Sequence, residues 1–417
     1  MTTIPLPHKA VYIQGNINRN TIIDKIVEGS FFGNQLETGS LKSAVYSSLE
    51  LAHFVDEEIR HGQFKINTGI TTTLAHASSG EQRRALLSHI LASNPGLLIV
   101  DNVFENLDQE AVELITVKLK EISTTVVIVQ LLNRRSDLLP FIQEVYSLQD
   151  VNVSNREDRQ RFLHTPSGDV ALGNIRIPGP LHHYTLPDYP LVRLNKISVQ
   201  YNGRPVLHNI CWQINAGEFW HLRGPNGSGK STLLSMITGD NPKGYGQDMQ
   251  LFGIQKGTGE TVWQIKENIG YFAPNMARYF ERQDTVAQMI VSGFFDSVGL
   301  YLKPSEMQVK RANDWLTVLD MQADKNKPFR LLPDGRQRMV LIARAMVKHP
   351  PLLILDEPAS GLDDNSTLLF TGLVNRIAAE TETAILYVSH RTEAGLAPDH
   401  VFQLIPGSNG STGASLQ

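Results

Sequence analysis

A glycine-rich stretch followed by lysine and hydroxyl side chains has the residue types that are needed to bind phosphate. It consists of Gly224, Pro225, Asn226, Gly227, Ser228, Gly229, Lys230, Ser231 and Thr232. Glycines let backbone N–H groups turn inward around phosphate oxygens, and a following helix directs its positive end at the same anion. The spacing matches G-x-x-x-x-G-K-[ST], in which the lysine reaches the β- and γ-phosphates and the hydroxyl binds Mg²⁺. The stretch therefore predicts a site for a nucleoside triphosphate.

The sequence on either side supplies the elements that such a loop requires. Residues 218–222 read as a short strand, and residues 232–237 read as the start of a helix. The alternative is a chance glycine-rich turn, which is disfavoured because the full pattern and the strand–loop–helix context occur together.

Composition limits the classes of protein to which the chain can belong. Its 417 residues predict two or three domains, and 41% hydrophobic residues suffice for ordinary cores. A net charge of −4 gives no strong signal for nucleic-acid binding. The single cysteine, Cys211, excludes an internal disulfide. We find no apolar run long enough for a membrane span and no signal peptide, so we expect a cytoplasmic protein, with peripheral attachment at the inner face of the membrane still allowed.

Two parts of the chain, residues 70–140 and 325–400, resemble each other. Both carry a helix-start motif with Gly, an apolar run that ends in Asp, and a turn that ends in Leu-Asp. The equivalent pairs, each 255 positions apart, are Gly80 and Gly335, Asp101 and Asp356, and Asp108 and Asp363. A constant offset across three motifs indicates two copies of one domain type.

The first copy is expected to be truncated. Residues 11–14 resemble 270–273, and residues 21–27 resemble 285–291, so the copy is expected to begin after the place of its own phosphate-binding loop. No G-x-x-x-x-G-K-[ST] occurs in residues 1–190. Loss of the strand before that loop would leave a gap or an open edge in a parallel sheet.

Domain boundaries follow from composition. We predict a truncated domain over 1–147, a linker over 148–190 that lacks a strong period, and a complete domain over 191–406. Residues 407–417, rich in Gly and Ser, are predicted to form a disordered tail.

The order of these motifs resembles the nucleotide-binding domains of ABC ATPases. More narrowly, residues 209–218, 233–245 and 290–301 are similar to the tandem ATP-binding proteins of the ModF type, also called photorepair-protein-like. The resemblance implies an α/β fold with two ABC-type P-loop ATPase domains, each a RecA-like parallel sheet with a helical subdomain. It also implies ATP and Mg²⁺ as cofactors, head-to-tail pairing of the two halves, and a nominal role in molybdate import.

The resemblance assigns roles to residues of the second copy. Tyr201 is similar to the aromatic side chain that stacks on adenine, although a tyrosine at a strand end is often structural. Asp356, together with Ser231, is placed to hold Mg²⁺. Glu357 is placed to activate the attacking water, and His390 to contact the γ-phosphate, although a lone histidine at a strand end is more often structural.

Residues of the first copy supply the signature that faces the γ-phosphate in this family. Ser78 and Gly80 open a helix, and Asp108 ends the Leu-Asp turn. A serine N-cap is an ordinary helix start and also an anion site, so the two interpretations are compatible.

Departures from the family pattern are unevenly distributed. The first copy lacks the P-loop, has Asn102 in place of the glutamate, and has Asn133 in place of the histidine. In the second copy, Pro333 and Asp334 replace the signature serine and its neighbour. Head-to-tail pairing would put all of these losses on one composite site. We therefore predict one working ATP site, built from the second copy together with Ser78, Gly80 and Asp108.

Three functions remain open. The first is an ATPase that energises a separate membrane permease, although Ala273 and Pro274 stand where the family has the glutamine that couples to a permease. The apolar segment 289–302 could dock there, or it could be ordinary core. The second is a soluble tandem ATPase acting on nucleic acid or ribosomes, for which residues 148–190 lack the basic helix of such proteins. The third is a switch without hydrolysis, against which Glu357 and His390 argue.

Overall fold

The structure is a computed structural model that divides into two compact units. It describes residues 6–15, 17–33, 36, 38–62, 64–66, 73–150, 153–164, 175–181, 188–280, 283–297 and 299–416. The N-terminal unit comprises Met1–Asp169 with the short segment Gly361–Asn365, and the C-terminal unit comprises Val170–Ser360 and Ser366–Gln417. None of the described helices is long and apolar enough to span a bilayer.

The N-terminal unit is built on a six-stranded sheet with the order β2-β3-β4-β1-β5-β6. Its elements are β1 (Lys9–Ile13), α1 (Arg19–Val27), β2 (Ser43–Ser47), α2 (Ser48–His61), α3 (Ser79–Ala92), β3 (Leu97–Asp101), α4 (Gln109–Ile122), β4 (Val127–Leu132), β5 (Glu144–Asp150), β6 (Val153–Asp158) and α5 (Arg159–His164). All neighbouring strands are parallel except β5 and β6.

Apolar residues cover both faces of this sheet. In β3, Leu98 and Val100 pack with Leu86 of α3, while Leu97 and Ile99 pack on the opposite face with Ile22 of α1. A strand that is buried on both faces reads as a continuous apolar run, which is why residues 97–100 are all apolar.

The C-terminal unit has two sheets. Its elements are β7 (Val192–Tyr201), β8 (Arg204–Ile214), β9 (Phe219–Arg223), α6 (Lys230–Ile237), β10 (Asp248–Leu251), β11 (Ile254–Gln255), α7 (Val262–Lys266), β12 (Ile269–Phe272), α8 (Val286–Ser292), α9 (Glu306–Val318), α10 (Asp334–Met346), β13 (Leu352–Asp356), α11 (Asp364–Glu380), which begins within Gly361–Asn365, β14 (Ala384–Val388), β15 (His400–Ile405) and β16 (Thr412–Leu416). An antiparallel sheet has the order β11-β10-β7-β8, and a mainly parallel one has the order β12-β13-β14-β9-β15-β16. Helices α8 and α9 lie between β12 and α10 in the chain and form the helical subdomain. The predicted α/β fold with two related units is confirmed.

The alignment of the first residues predicted from sequence is wrong. In the N-terminal unit β1 lies between β4 and β5, which is the position that β9 takes between β14 and β15. The strand that leads into the phosphate-binding loop therefore has a counterpart in β1, and α1 follows β1 as α6 follows β9. Residues 11–14 do not correspond to 270–273, and the expected gap in the sheet does not arise. Apolar five-residue strands are alike in sequence, so the true match of residues 9–13 to 219–223 was not distinguishable. The described part of this unit contains one sheet, and no counterpart of the antiparallel sheet of the C-terminal unit is found among the described residues.

The prediction of a disordered tail is also wrong. Residues 412–416 form β16, which pairs antiparallel with β15 from Ile405↔Thr412 to Val401↔Leu416. Gly410, with φ of +99°, helps to reverse the chain, and Ser411 N donates to Val206 O at 2.9 Å. At Gly413 a Cβ atom would lie 2.2 Å from Phe402 Cζ, so glycine is required by packing. The small residues therefore form a close-packed hairpin, and their composition alone could not reveal this.

The predicted boundaries of the linker require correction as well. Residues 148–150 and 153–164 belong to the N-terminal unit, because β5 extends to Asp150 and pairs with β6, and Phe162 of α5 is fully buried. The described residues 175–181 instead contact the C-terminal unit, where Ile177 N donates to Glu380 Oε2 at 2.6 Å. Within the predicted linker, residues 151–152, 165–174 and 182–187 lie outside the described residues.

Candidate ATP site

The chemistry-bearing residues of the C-terminal unit stand at one edge of its parallel sheet. The strands β9, β13 and β14 run parallel, so their carboxyl ends meet at the same edge. The glycine-rich loop follows β9, Asp356 and Glu357 come at the end of β13, and His390 follows β14. Ligands of open α/β sheets bind at this edge.

The loop between β9 and α6 leaves the start of the helix free of a side-chain cap. Gly229 is the N-cap of α6, with φ of +95°, and no side chain caps the helix. The first backbone N–H groups of a helix have no partner within the helix, and the helix dipole adds positive potential there. An anion such as a phosphate group can satisfy both.

Two glycines of this loop are required by close approach. A Cβ atom at Gly224 would lie 2.7 Å from Ser228 Oγ and 3.0 Å from Leu404 O. A Cβ atom at Gly229 would lie 2.7 Å from Leu207 Cδ2, at a backbone conformation that L-residues rarely adopt. The loop thus wraps tightly at its two ends, while Asn226 and Gly227 at its tip are exposed.

Polar atoms inside the loop fit a phosphate group. Lys230 Nζ donates to Gly224 O at 2.7 Å and to Pro225 O at 3.1 Å, so the ammonium group stands in the loop. Ser228 Oγ is buried and has no hydrogen-bond partner within the described structure. A buried hydroxyl without a partner is costly, and a phosphate oxygen would remove that cost. Ser231, which is exposed, and Thr232 follow Lys230 in the first turn of α6.

Asp356 is held by a neighbouring strand. It accepts a hydrogen bond of 3.2 Å from Tyr271 Oη of β12. Burial raises the pKa of the Asp356 carboxyl and the charge of Glu357 adds to this, while the bond from Tyr271 and the charge of Lys230 oppose it. A cation bound here would also favour the ionised carboxylate, because its positive charge acts on Asp356 in the same direction as that of Lys230.

Glu357 and His390 are in direct contact. His390 Nδ1 lies 3.1 Å from both Oε1 and Oε2 of Glu357. The His390 side chain is only 5% exposed and that of Glu357 is 26% exposed. The second ring nitrogen, Nε2, is buried and has no partner in the described part of the chain. The histidine can therefore hold the carboxylate by one nitrogen and offer the other to a ligand.

Glu357 also has an unusual backbone. Its φ is +45°, and its N–H donates to Val388 O at 2.8 Å. Non-glycine residues at positive φ are uncommon and cluster at functional sites. The counterpart Asn102 has φ of +47°, so both units keep this turn although only one keeps the carboxylate.

Tyr201 lies at the end of β7, on the hairpin that leads to β8. Its side chain is 40% exposed, and its hydroxyl accepts a hydrogen bond of 2.8 Å from Asn241 Nδ2. Lys243 Nζ stands 6.0 Å from the ring centroid. An exposed ring that is fixed at its hydroxyl end is suited to stacking on a base.

The three predicted residues of the N-terminal unit come together within that unit. Ser78 caps α3 in a capping box, in which its Oγ accepts from Glu81 N at 3.4 Å and its backbone N donates to Glu81 Oε2 at 2.8 Å. Asp108 caps α4 and accepts from Ala111 N at 3.0 Å. A Cβ atom at Gly80 would lie 3.1 Å from Ala111 Cβ, so the two helix starts are adjacent.

The structure also gives positions for residues that depart from the family pattern in the two units. Pro333 begins α10 with no side-chain cap, and Asp334 lies in the first turn of that helix. Asn133 in the N-terminal unit is buried, and its Nδ2 donates to Gly361 O at 3.0 Å. Ala273, after β12, has no side chain that could reach a cation.

Sequence reasoning missed Tyr271 and Asn241. Tyr271 lies on β12 opposite Ile354 of β13, two residues before Asp356. An aromatic hydroxyl on the strand beside an acidic strand end was the available signal, but it required the strand order. Asn241 comes 17 residues after Gly224, the first residue of the P-loop, and belongs to no motif.

Comparison with known proteins gives relatives for the whole chain and for its second half. A family model described as ABC transporter matches residues 207–360. ModF of Escherichia coli K12, an ABC transporter ATP-binding protein, is 37% identical over 82% of this chain and 73% of its own length. An uncharacterized ABC transporter ATP-binding protein of Schizosaccharomyces pombe is 28% identical over 89% of this chain and 73% of its own. The zinc import ATP-binding protein ZnuC of Yersinia pestis is 34% identical over 48% of this chain and 70% of its own.

Solved structures agree on the fold over nearly the full chain. ABCE1, in a model of ribosome-bound archaeal Pelota and ABCE1, has a TM-score of 0.66 at 14% identity, covering 98% of this chain and 74% of that one. Archaeal ABCE1 in complex with the ribosomal stalk protein aP1 has a TM-score of 0.61 at 15% identity, covering 99% and 86%. At these identities the likeness concerns the fold alone.

Proposed function

The chain belongs to the family of ABC transporter ATP-binding proteins and is an ATPase, and we propose that it hydrolyses ATP at a single site on the C-terminal unit. The observation that carries the proposal is the contact of His390 with Glu357 beside the uncapped start of α6. The loop would hold the phosphates through its amides and Lys230, and Tyr201 would stack on the base.

The remaining roles follow from chemistry at the sheet edge. Ser231 and Asp356 would hold Mg²⁺, which neutralises charge on the phosphates. Glu357 would orient the attacking water and accept its proton, and His390 would fix the Glu357 carboxylate through Nδ1 while its Nε2 faces the γ-phosphate. The buried, unpartnered Nε2 of His390 supports this last role.

We further propose that Ser78, Gly80 and Asp108 of the N-terminal unit complete this site. The support is the distribution of losses: Asn102, Asn133, Pro333 and Asp334 would all serve the other composite site. Random loss of motif residues would have affected both composite sites. The start of α3 keeps the serine hydroxyl and the backbone donor that Pro333 lacks at α10.

Two matched variants test the composite site. Ser78→Arg should abolish most ATP turnover, because it replaces the hydroxyl that would face the γ-phosphate with a bulky side chain. Pro333→Arg places the same side chain at the exposed N-cap of the equivalent helix and should leave turnover within about twofold, since that position would serve the inactive site. Equal turnover in the two variants would refute the assignment.

We propose a cytoplasmic protein, peripheral at the inner face of the membrane, that energises a permease, nominally for molybdate. The likeness to ModF, named as a transporter ATP-binding protein, supports this. Ala273 and Pro274 stand where the family has the glutamine that couples to a permease, so the permease would have to contact another part of this unit. The exposed apolar side chains of Tyr301, Leu302 and Leu331 are candidates for that contact.

Purification of a Glu357→Gln variant with its partners tests the target. An integral membrane protein retained in the presence of ATP supports the permease. Retained rRNA or DNA, without a membrane protein, would replace the permease with the alternative of a soluble tandem ATPase acting on nucleic acid or ribosomes.

A further inference from the structure

The N-terminal unit retains the place of a phosphate-binding loop but fills it with its own side chains. The loop between β1 and α1 follows the strand that has the sheet position of β9. In the sequence, five residues separate the end of β1 from the start of α1, one fewer than the six between β9 and α6. Arg19 is the first residue of α1, as Lys230 is the first residue of α6.

The start of α1 is capped, in contrast to the start of α6. Asn18 Oδ1 accepts a hydrogen bond of 3.0 Å from Asn20 N. Gly229, the N-cap of α6, has no side chain that could do so. Asn18 therefore supplies the oxygen that a phosphate would supply to an amide of the helix start.

Arg19 forms an ion pair with Asp101 at the end of β3. Asp101 is the counterpart of Asp356, the proposed Mg²⁺ ligand. The side chains of Arg19 and Asp101 are 26% and 13% exposed, so the pair is largely shielded from water. In the C-terminal unit Asp356 accepts from Tyr271, whereas the strand register places Val45 at the position of Tyr271. The tyrosine contact is lost, and a guanidinium group has taken its place.

We propose that Asn18 and Arg19 are built-in substitutes for the ligands of a former nucleotide site: the amide oxygen replaces a phosphate oxygen and the guanidinium replaces the metal cation. The N-terminal unit then keeps this edge of its sheet ordered without nucleotide. The inference rests on the proposed function, because it explains how one of two related units can lack ATP. An ordinary surface ion pair would give neither the helix cap nor the pairing with the former metal ligand.

A thermal-unfolding series tests the substitution of the cation. In nucleotide-free protein, Arg19→Met should lower the unfolding midpoint by about 2–8 °C, because Asp101 is left as a shielded charge. Arg83, whose charge also interacts with Asp101, limits the effect. Lys118→Met, which breaks the exposed pair with Glu121 in the same unit, should change the midpoint by less than about 2 °C.

Magnesium distinguishes a cation substitute from a merely structural pair. Millimolar MgCl₂ should recover part of the lost midpoint in Arg19→Met, and should not do so in wild type or in Arg19→Met/Asp101→Asn. An unchanged midpoint in Arg19→Met with MgCl₂ would overturn the cation role.

Calorimetric binding of ATP tests the claim that no nucleotide is needed. Wild type should bind one ATP per chain, at the loop over 224–232, and two ATP per chain would overturn the proposal. If wild type binds no ATP, the proposed function fails, whereas the unfolding series still decides the role of Arg19.

Discussion

Replacing Gly229 by alanine should destabilise the C-terminal unit much more than the same change at Gly227. Both glycines have positive φ, of +95° and +77°, so both substitutions incur backbone strain of about 1–2 kcal/mol. At Gly227 nothing lies within 4 Å of the added Cβ atom, whereas at Gly229 Leu207 Cδ2 lies 2.7 Å away. Leu207 is fully buried, so relief requires shifts that cost about 1–3 kcal/mol.

The total is therefore about 2–5 kcal/mol of unfolding free energy for Gly229→Ala and about 1–2 kcal/mol for Gly227→Ala. Urea denaturation of nucleotide-free protein measures both, with midpoints compared at equal m-values. Equal midpoints for the two variants would refute the packing of the loop against β8. A changed m-value in either variant would contradict the assumption that only the native loop is affected.

Three further variants probe the site and its support. His390→Ala should lower kcat about 10- to 100-fold with little change in KM, because it removes a bond to a charged group during turnover; a change in KM alone, by steady-state kinetics, would contradict the role. Tyr201→Ala should weaken ATP binding about 5- to 30-fold and Tyr201→Phe should not, and equal affinities by fluorescence titration would exclude stacking. Burial raises the pKa of Glu260, but hydrogen bonds from Lys256 and Gly257 outweigh it and hold that pKa at about 2. Because the pKa of Glu260 is lower in the folded chain than the unfolded value of about 4.5, its ionised carboxylate stabilises the fold above pH 4.5, and this stabilisation is lost as the pH falls towards 2. Glu260→Gln should therefore lower the thermal midpoint at pH 7 and lower it much less at pH 3. Equal losses at the two pH values would refute this.

The sequence was most informative where chemistry restricts residue type at fixed spacing. The nine residues from Gly224 to Thr232 and the apolar run before Asp356 each specify a local element, and the structure contains both. The offset of 255 likewise revealed two related units, because helix starts and strand ends carry distinctive residues.

What the sequence could not supply was tertiary position. Short apolar strands such as residues 9–13 and 269–272 have similar sequence patterns. Only the order of strands in the sheets showed that β1 is the counterpart of β9 and not of β12. The pairing of Arg19 with Asp101 joins residues 82 positions apart and has no local signal. Gly413 and Ser411 looked like parts of a flexible tail because the requirement for small residues comes from Phe402 and from a neighbouring strand.

The central claim is that the chain holds one hydrolytic ATP site, with Glu357 as the group that activates water. Glu357→Gln removes the base but keeps the shape of the side chain, so it should bind ATP without turning it over. The direct measurement is the amount and state of nucleotide retained by this variant after incubation with MgATP and rapid desalting. The account predicts one intact ATP per chain. Two per chain, none, or one that has been hydrolysed to ADP would contradict it.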